Sequence, residues 1–189
     1  MTKQIIAVDA DDTLFDENTA VRLYMNNTYG FKHTEADYLA EGPFDNYWER
    51  IWNVDPAEMT RMYEEFAHSS YKRDLMPVEA AIPVLRRLKD MYDLVIVTSR
   101  GQSVVDITHK SLSKHYPDIF ENIYFVPLWG GDKKSTKAQI CTTIGASYLI
   151  DDSFEHCKLA AEAGIQSVLF GDYGWNRHQK LPEGITRAN

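Results

Sequence analysis

The chain of 189 residues is short of cysteine, of long apolar runs and of positive charge. Its two cysteines, Cys141 and Cys157, are too few for the disulfide framework that staples small secreted domains. Both fall among apolar neighbours in helical patterns, as small buried hydrophobes of a reducing compartment do. Met1-Thr2-Lys3-Gln4 leads into only four apolar residues before Asp9, too short for a secretory leader, and no later run reaches the length of a membrane span. A cytoplasmic protein without membrane contact is expected. Lys and Arg total 20 against 28 Asp and Glu, a formal net charge of -8. No overall positive field is available to hold nucleic acid or an anionic membrane. No basic run is longer than Lys133-Lys134, so nucleic acid is not an expected partner. Internal repeats and low-complexity tracts are also missing. What remains is 44% hydrophobic and 25% charged, enough to bury one sizeable core, or a core with a small inserted module.

Ile5-Ile6-Ala7-Val8 is a short apolar run between polar flanks and reads as a strand buried on both faces, with Asp9 at its carboxyl end. Leu94 to Val97, Ile123 to Val126, Tyr148 to Ile150 and Ser167 to Phe170 read the same way. Helical patterns lie between them: Glu79 to Met91, Val104 to His115, Thr136 to Ile144 and Phe154 to Ala163. Gly145 and Gly164 stand where C-terminal stops belong. This alternation predicts an α/β fold, a parallel sheet flanked by helices. Ligands of such sheets gather at the carboxyl ends of the strands, where Asp9, Thr98 and Asp151-Asp152 all fall. From about Glu17 to Met76 the alternation stops. That stretch has helical patterns (Thr19 to Tyr29, Asp45 to Trp52, Pro56 to Tyr71) and many aromatics, among them Tyr47, Trp48 and Trp52 at near-helical spacing. An all-helical insertion at 17–76 is expected to sit over the active edge, with residues 1–16 and 77–189 forming the core and Pro77 marking the return. The polar tail from about His178 reads as peripheral.

Asp9-Ala10-Asp11-Asp12-Thr13-Leu14 follows the first strand directly. Carboxylates at positions i and i+2 can converge on one cation; one can attack phosphorus and the other can protonate the leaving oxygen. Two anions facing a phosphate repel it unless a divalent cation intervenes, and magnesium, a hard ion favouring carboxylate and phosphate oxygens, meets that need. Taken alone, an acidic turn is as readily a solvated one, Thr98 a helix N-cap and Lys137 an exposed helix lysine. Asp151-Asp152 is harder to explain away, because a cap needs only one of them.

In order and context these residues (Asp-x-Asp-x-Thr, Thr-Ser, Lys, Asp-Asp) resemble the four motifs of the haloacid dehalogenase-like superfamily. The likeness spans Lys3 to Leu14 and Glu79 to Phe170. It implies a Rossmann-like core, an aspartyl-phosphate intermediate and Mg2+. Carried onto this chain, Asp9 is the nucleophile and a metal ligand. Asp11 is the general acid/base and gives its backbone carbonyl to the metal. Thr98 and Lys137 hold the phosphoryl group, with Ser99 and Arg100 beside them, and Lys133 and Lys134 are rivals for the lysine role. Asp152 ligates the metal with Asp151 in support. Dehalogenase-type members lack the second aspartate and ATPase-type members carry Thr there, so Asp11 implies a phosphatase or mutase.

The insertion occupies the place of a small cap in this superfamily. Its aromatics either stack on a base or simply pack a helical bundle. The Trp175-Asn176 pair after the last strand, with Leu149-Ile150-Asp151-Asp152, resembles the branch of 5′-nucleotidases and 5′(3′)-deoxyribonucleotidases. That branch often has Asp-x-Asp-Gly-Val where this chain has Asp-Ala-Asp-Asp-Thr. The expected substrate is a small phosphate ester, a nucleoside monophosphate first. Sugar phosphates, phosphoglycolate or a mutase reaction come next, and a non-catalytic phospho-ligand binder last.

Overall fold

The runs expected as strands pair side by side into one parallel sheet. The computed structural model describes residues 2–126, 136–177 and 180–188. Within them, β1 (Gln4–Val8), β2 (Tyr92–Thr98), β3 (Asn122–Phe125), β4 (Ala146–Asp151), β5 (Gln166–Phe170) and β6 (Ile185–Ala188) lie in the order β3-β2-β1-β4-β5-β6. Every neighbouring pair is parallel. Their side chains alternate between two buried faces, as the two-residue period of a strand requires. Ile6, Val8, Leu94 and Ile96 enter one cluster. Ala7, Val95, Val97 and Leu149 enter the other. The first face is covered through Leu85 of α6 (Ala81–Met91) and Leu112 of α7 (Val105–His115). The second is covered through Cys141 of α8 (Lys137–Ile144) and Ala160 of α9 (Phe154–Glu162). Cys141 and Cys157 are free thiols with no solvent exposure, Cys141 in the second cluster and Cys157 in a smaller one with Leu169 and Ile185.

One strand departs from expectation. The tail is not peripheral throughout: Ile185–Ala188 adds a sixth strand beside β5. An edge strand with a single buried side chain, Ile185, carries almost no alternation to read.

Between β1 and β2 the chain forms a helical layer around its own cluster of Val21, Tyr24, Met25, Tyr38, Trp52, Met59, Met62 and Phe66. Its helices are α1 (Glu17–Tyr29), the short α2 (Glu35–Tyr38), α3 (Tyr47–Trp52), α4 (Pro56–Ala67) and α5 (Ser70–Arg73). The pattern read as one helix from Pro56 to Tyr71 is broken in two. Ser69 ends α4, its hydroxyl donating to the Phe66 carbonyl at 2.7 Å, and then caps α5 by accepting the Lys72 amide at 3.4 Å. A serine able to bond its own neighbouring backbone offers the chain this alternative to a continuous helix. Two adjacent connections join the layer to the core: Phe15 bridges Pro77, and the Asp16 amide donates to the Met76 carbonyl at 3.0 Å. Among the described residues no helix is long and apolar enough to cross a membrane.

Leu149 is fully buried in β4 between two neighbouring strands. Leu149→Ala is expected to cost about 2–5 kcal/mol, lost transfer energy plus a cavity the rigid sheet cannot close. A urea unfolding curve checks this.

Candidate active site

Val8 pairs with Ile96 on one side and Ile150 on the other. The residues that follow in the three strands therefore leave the sheet together: Asp9, then Thr98 with Ser99 and Arg100, then Asp151 and Asp152. From β1 the sheet continues to β2 and β3 on one side and to β4, β5 and β6 on the other, and ligands bind in the crevice at such a switch point. The turn after β1 is tight: the Leu14 and Phe15 amides both donate to the Ala10 carbonyl at 2.9 Å, and Asp12 donates to the Phe15 carbonyl at 2.7 Å. Asp12 takes a left-handed conformation (φ 55), which aspartate tolerates better than most residues, and its carboxylate accepts the Asn18 amide at 2.8 Å.

Lys137 opens α8 behind a Thr136–Gln139 capping box, and its side chain is buried. Its ammonium lies 2.6 Å from Asp9 Oδ1 and 2.7 Å from Asp151 Oδ2, with all three side chains at 8% exposure or less. Burial pushes the Asp9 carboxyl up to about 6, against the lowering pull of Lys137. Burial would raise Asp151 too, but Lys137 and then His156 hold it well below the usual carboxylate range. Its second oxygen accepts the Ser153 amide at 2.9 Å and lies 3.2 Å from His156 Nδ1.

Asp11 faces different company. Arg100 grips it with Nε, 3.0 Å from Oδ2, and with its terminal nitrogen, 2.6 Å from Oδ1. Lys72 of α5 reaches Oδ1 at 3.0 Å. Burial works to raise Asp11, yet Arg100 and then Lys72 outweigh it and hold the carboxyl well below the usual range. The sequence groups Arg100 with the substrate-binding residues. Here its guanidinium is buried, on Asp11 and on the Thr108 hydroxyl at 3.1 Å, and packs over the Phe15 ring.

Oxygens of Asp9, Asp151 and Asp152 lie within 4.8 Å of one another, all buried. Burial pushes Asp152 well above the ordinary carboxyl range, and the charges of Asp151 and then Asp9 push the same way. Trp175 Nε1 donates to Asp152 Oδ2 at 2.7 Å, and the Asn176 amide donates to the Asp152 carbonyl at 2.9 Å, which fixes how the group is presented. An all-oxygen donor set with an unbalanced negative charge fits a hard divalent cation.

Above this floor is a cavity of about 400 Å³. Asp9, Asp11, Thr98, Ser99, Lys137 and Asp152 border it, while Phe44, Tyr47, Trp48 and Trp175 form an aromatic wall. Tyr47 and Trp48 meet edge to face at 5.2 Å, and Tyr47 meets Trp175 at 4.9 Å. Trp48 and Trp52 stack at 5.4 Å inside the helical layer. The insertion's aromatics pack a helical bundle, one of the two expectations, and some of them also wall the cavity. Lys133 and Lys134 lie outside the described residues, so Lys137 is the lysine seen at the site.

The profile of the family described as 5′ nucleotidase, deoxy (pyrimidine), cytosolic type C protein matches residues 3–189. The chain belongs to this family. It is thereby a member of the haloacid dehalogenase-like phosphatases. Solved structures share the fold. A haloacid dehalogenase-like family hydrolase from Streptococcus pneumoniae has a TM-score of 0.63 at 19% identity, covering 90% of this chain and 86% of that one. A predicted phosphoglycolate phosphatase from Haemophilus somnus gives 0.62 at 17%, covering 92% and 87%. A Bacillus subtilis hydrolase of the same superfamily, described as bound to magnesium, gives 0.58 at 16%, covering 90% and 89%. An uncharacterized 32.4 kDa protein of Enterobacteria phage T4 is 25% identical over 119 residues. That match takes in 60% of this chain and 41% of the relative's length.

In this 5′-nucleotidase-family chain, sequence reasoning does not anticipate the parts played by Lys72, Glu17 and His156. Glu17 accepts from Lys72 at 2.7 Å and from the Tyr63 hydroxyl at 2.8 Å, and burial followed by the Asp11 charge pushes it up to about 7. The one available signal is Trp175-Asn176, a family likeness in the sequence, whose contact with Asp152 gives the pair a physical task.

Removing the Lys137 ammonium strands two buried carboxylates. Lys137→Met is expected to destabilise the fold by about 3–5 kcal/mol at neutral pH, the cost of breaking a buried ion pair from one side. Chemical denaturation reads it directly, and an unchanged midpoint would overturn the assignment of Lys137 as their counter-charge.

Proposed function

We propose that this chain hydrolyses phosphomonoesters through a covalent phosphate on Asp9, and that nucleoside monophosphates are its substrates. The observation that carries the reading is the cavity itself, with a carboxylate and lysine floor under an aromatic wall, in a chain whose family is named for 5′-nucleotidases. Magnesium, held by Asp9, Asp152 and the Asp11 carbonyl with Asp151 in support, would neutralise and orient the phosphate. Thr98, Ser99 and Lys137 hold the phosphoryl oxygens. Asp9 attacks phosphorus as Asp11, ionised beside Arg100 and Lys72 in the free chain and protonated once substrate is bound, gives that proton to the departing sugar oxygen. Asp11, ionised again, then takes a proton from the water that releases phosphate from Asp9. Arg100 acts through Asp11, keeping its carboxylate turned to this task.

Residues 17–76 act as the cap and residues 1–16 with 77–189 as the catalytic core. A cap over the crevice excludes water and selects the leaving group. The described lining holds six carboxylates (Asp9, Asp11, Asp12, Glu17, Glu49 and Asp152) against Lys137 in the lining and Arg100 and Lys72 behind Asp11 and Glu17, which leaves the carboxylates in excess. A leaving group with its own negative charge is repelled by such a wall, whereas a neutral nucleoside meets aromatic faces and hydrogen-bond acceptors. This disfavours phosphoglycolate, the alternative raised by one structural neighbour, because its alcohol carries a carboxylate. A neutral sugar phosphate stays as the second reading. The protein acts in the cytoplasm on small molecules, and nucleic acid is not among its partners.

Phosphate release is to be measured on ribo- and deoxynucleoside monophosphates, sugar phosphates and phosphoglycolate, with and without magnesium. Turnover is expected on the nucleotides, only with magnesium, and Asp9→Asn is expected to abolish it. Asp9→Asn turning over at the normal rate would sink the mechanism, and a preference for phosphoglycolate would sink the substrate assignment. Trp175→Phe, which frees Asp152 Oδ2, is expected to raise the magnesium concentration for half-saturation by roughly 10–100-fold, as loss of a partner to a metal ligand does. Titration calorimetry with magnesium alone checks this without reference to activity.

A further inference from the structure

A lysine with almost no exposure, on a helix of four residues, needs a reason to be there. Lys72 is 3% exposed and lies on α5, in the helical layer, 61 positions along the chain from Asp11. Its ammonium bonds Asp11 Oδ1 at 3.0 Å and Glu17 Oε1 at 2.7 Å, and sits 5.9 Å over the Phe66 ring. The core could hold Asp11 with Arg100 alone, since that guanidinium already grips both carboxylate oxygens. Lys72 adds a second grip from the opposite body of the fold. The Ser69 break aims it there: a helix continuing from α4 would carry residue 72 elsewhere around its axis. Glu17, the other partner of Lys72, opens α1 and is itself held by Tyr63 of α4. The three groups behind Asp11 thus come from three helices of the insertion.

We propose that Lys72 is a positioning residue for Asp11, by which the seated helical insertion fixes the orientation of the acid/base carboxylate. This inference rests on the phosphatase reading above. Lys72 touches neither phosphorus nor the attacking oxygen; it acts by limiting where Asp11 can point. Arg100 grips both oxygens from one side only, and the carboxylate and guanidinium can still shift together. Lys72 on Oδ1 holds the carboxylate from a second direction and restrains that shift. An acid/base group must lie within hydrogen-bond reach of the oxygen it serves, so loss of this restraint slows proton transfer and leaves substrate binding largely intact.

The test uses the full chain with a nucleoside monophosphate and with 4-nitrophenyl phosphate, whose leaving group departs without needing a proton. Lys72→Met is expected to lower kcat on the nucleotide by on the order of 10²-fold, the cost of a small misplacement of a catalytic group. KM should stay within about 3-fold, the pattern of an interaction that matters only in the transition state. Lys72→Arg should recover most of the rate. In a single turnover of 4-nitrophenyl phosphate, Lys72→Met should release nitrophenolate within about 3-fold of the wild-type rate, because that step bypasses the acid. The double variant Lys72→Met with Glu17→Gln removes the stranded carboxylate charge and separates stability from positioning. It should regain melting temperature and keep the low kcat. The proposal is overturned by a normal kcat in Lys72→Met, by recovery of kcat together with stability in the double variant, or by equal slowing of nitrophenolate release. Asp9→Asn and Asp11→Asn run alongside. If both stay active, the phosphatase reading itself has failed; if both are dead while Lys72→Met is normal, only the inference about Lys72 has.

Discussion

Burying carboxylates is the constraint on which this structure turns. A carboxylate taken out of water loses several kcal/mol of solvation that only close, well-bonded cations return. The chain meets this with two separate charge groups at the same sheet edge. Lys137 stands between Asp9 and Asp151, all three supplied by the core. Arg100 and Lys72 hold Asp11 and Glu17, and here one cation comes from the core and the other from the insertion. Aromatic faces back the second pair, Phe15 under Arg100 and Phe66 under Lys72. The two groups hold their carboxyls at opposite ends of the scale: Asp9 is pushed up to about 6 while Asp11 is held far down.

The core's share of this is legible in the sequence because strands announce their own ends. An apolar run stops at Val8, at Val97 and at Ile150, and in a parallel sheet the polar residues that follow must share an edge. The strand pattern alone therefore groups Asp9, Thr98 and Asp151-Asp152 into one site. Lys137 is legible only through family likeness, since nothing in an eight-residue helix says which way its first side chain points. Lys72 is not legible at all. Its part depends on Ser69 breaking a helix that propensity would continue, and on the packing of three helices whose partners lie far away in sequence. The role of Arg100 escapes for a related reason: a guanidinium after a strand can turn to substrate or to a neighbouring carboxylate, and only the position of Asp11 decides. β6 is hidden by its place at the sheet edge, where one buried isoleucine suffices.

Separate cores allow chemistry and selection to be varied independently. The helical layer folds around its own cluster, and Tyr47 and Trp48 lean from it onto the cavity. Three of its contacts with the catalytic body, among the described residues, bear on the site. The first is the paired connection at Asp16 and Met76. The second is the loop ending at Gly42, whose amide donates to the Gly174 carbonyl at 3.1 Å. Gly174 is required there, because a side chain would collide with the Ala40 carbonyl oxygen at 2.3 Å and the Tyr47 hydroxyl at 2.7 Å. That contact sets Trp175, and so Asp152, against the insertion's aromatic wall. The third is Lys72 on Asp11. The wall can therefore change its aromatics to suit another leaving group without disturbing Lys137 or Asp9. It cannot shift as a body without moving the partners of Asp152 and Asp11. On the proposed function, selection of the leaving group is free to diverge in this architecture, while the seating of the insertion is tied to Asp152 and Asp11 through Trp175 and Lys72.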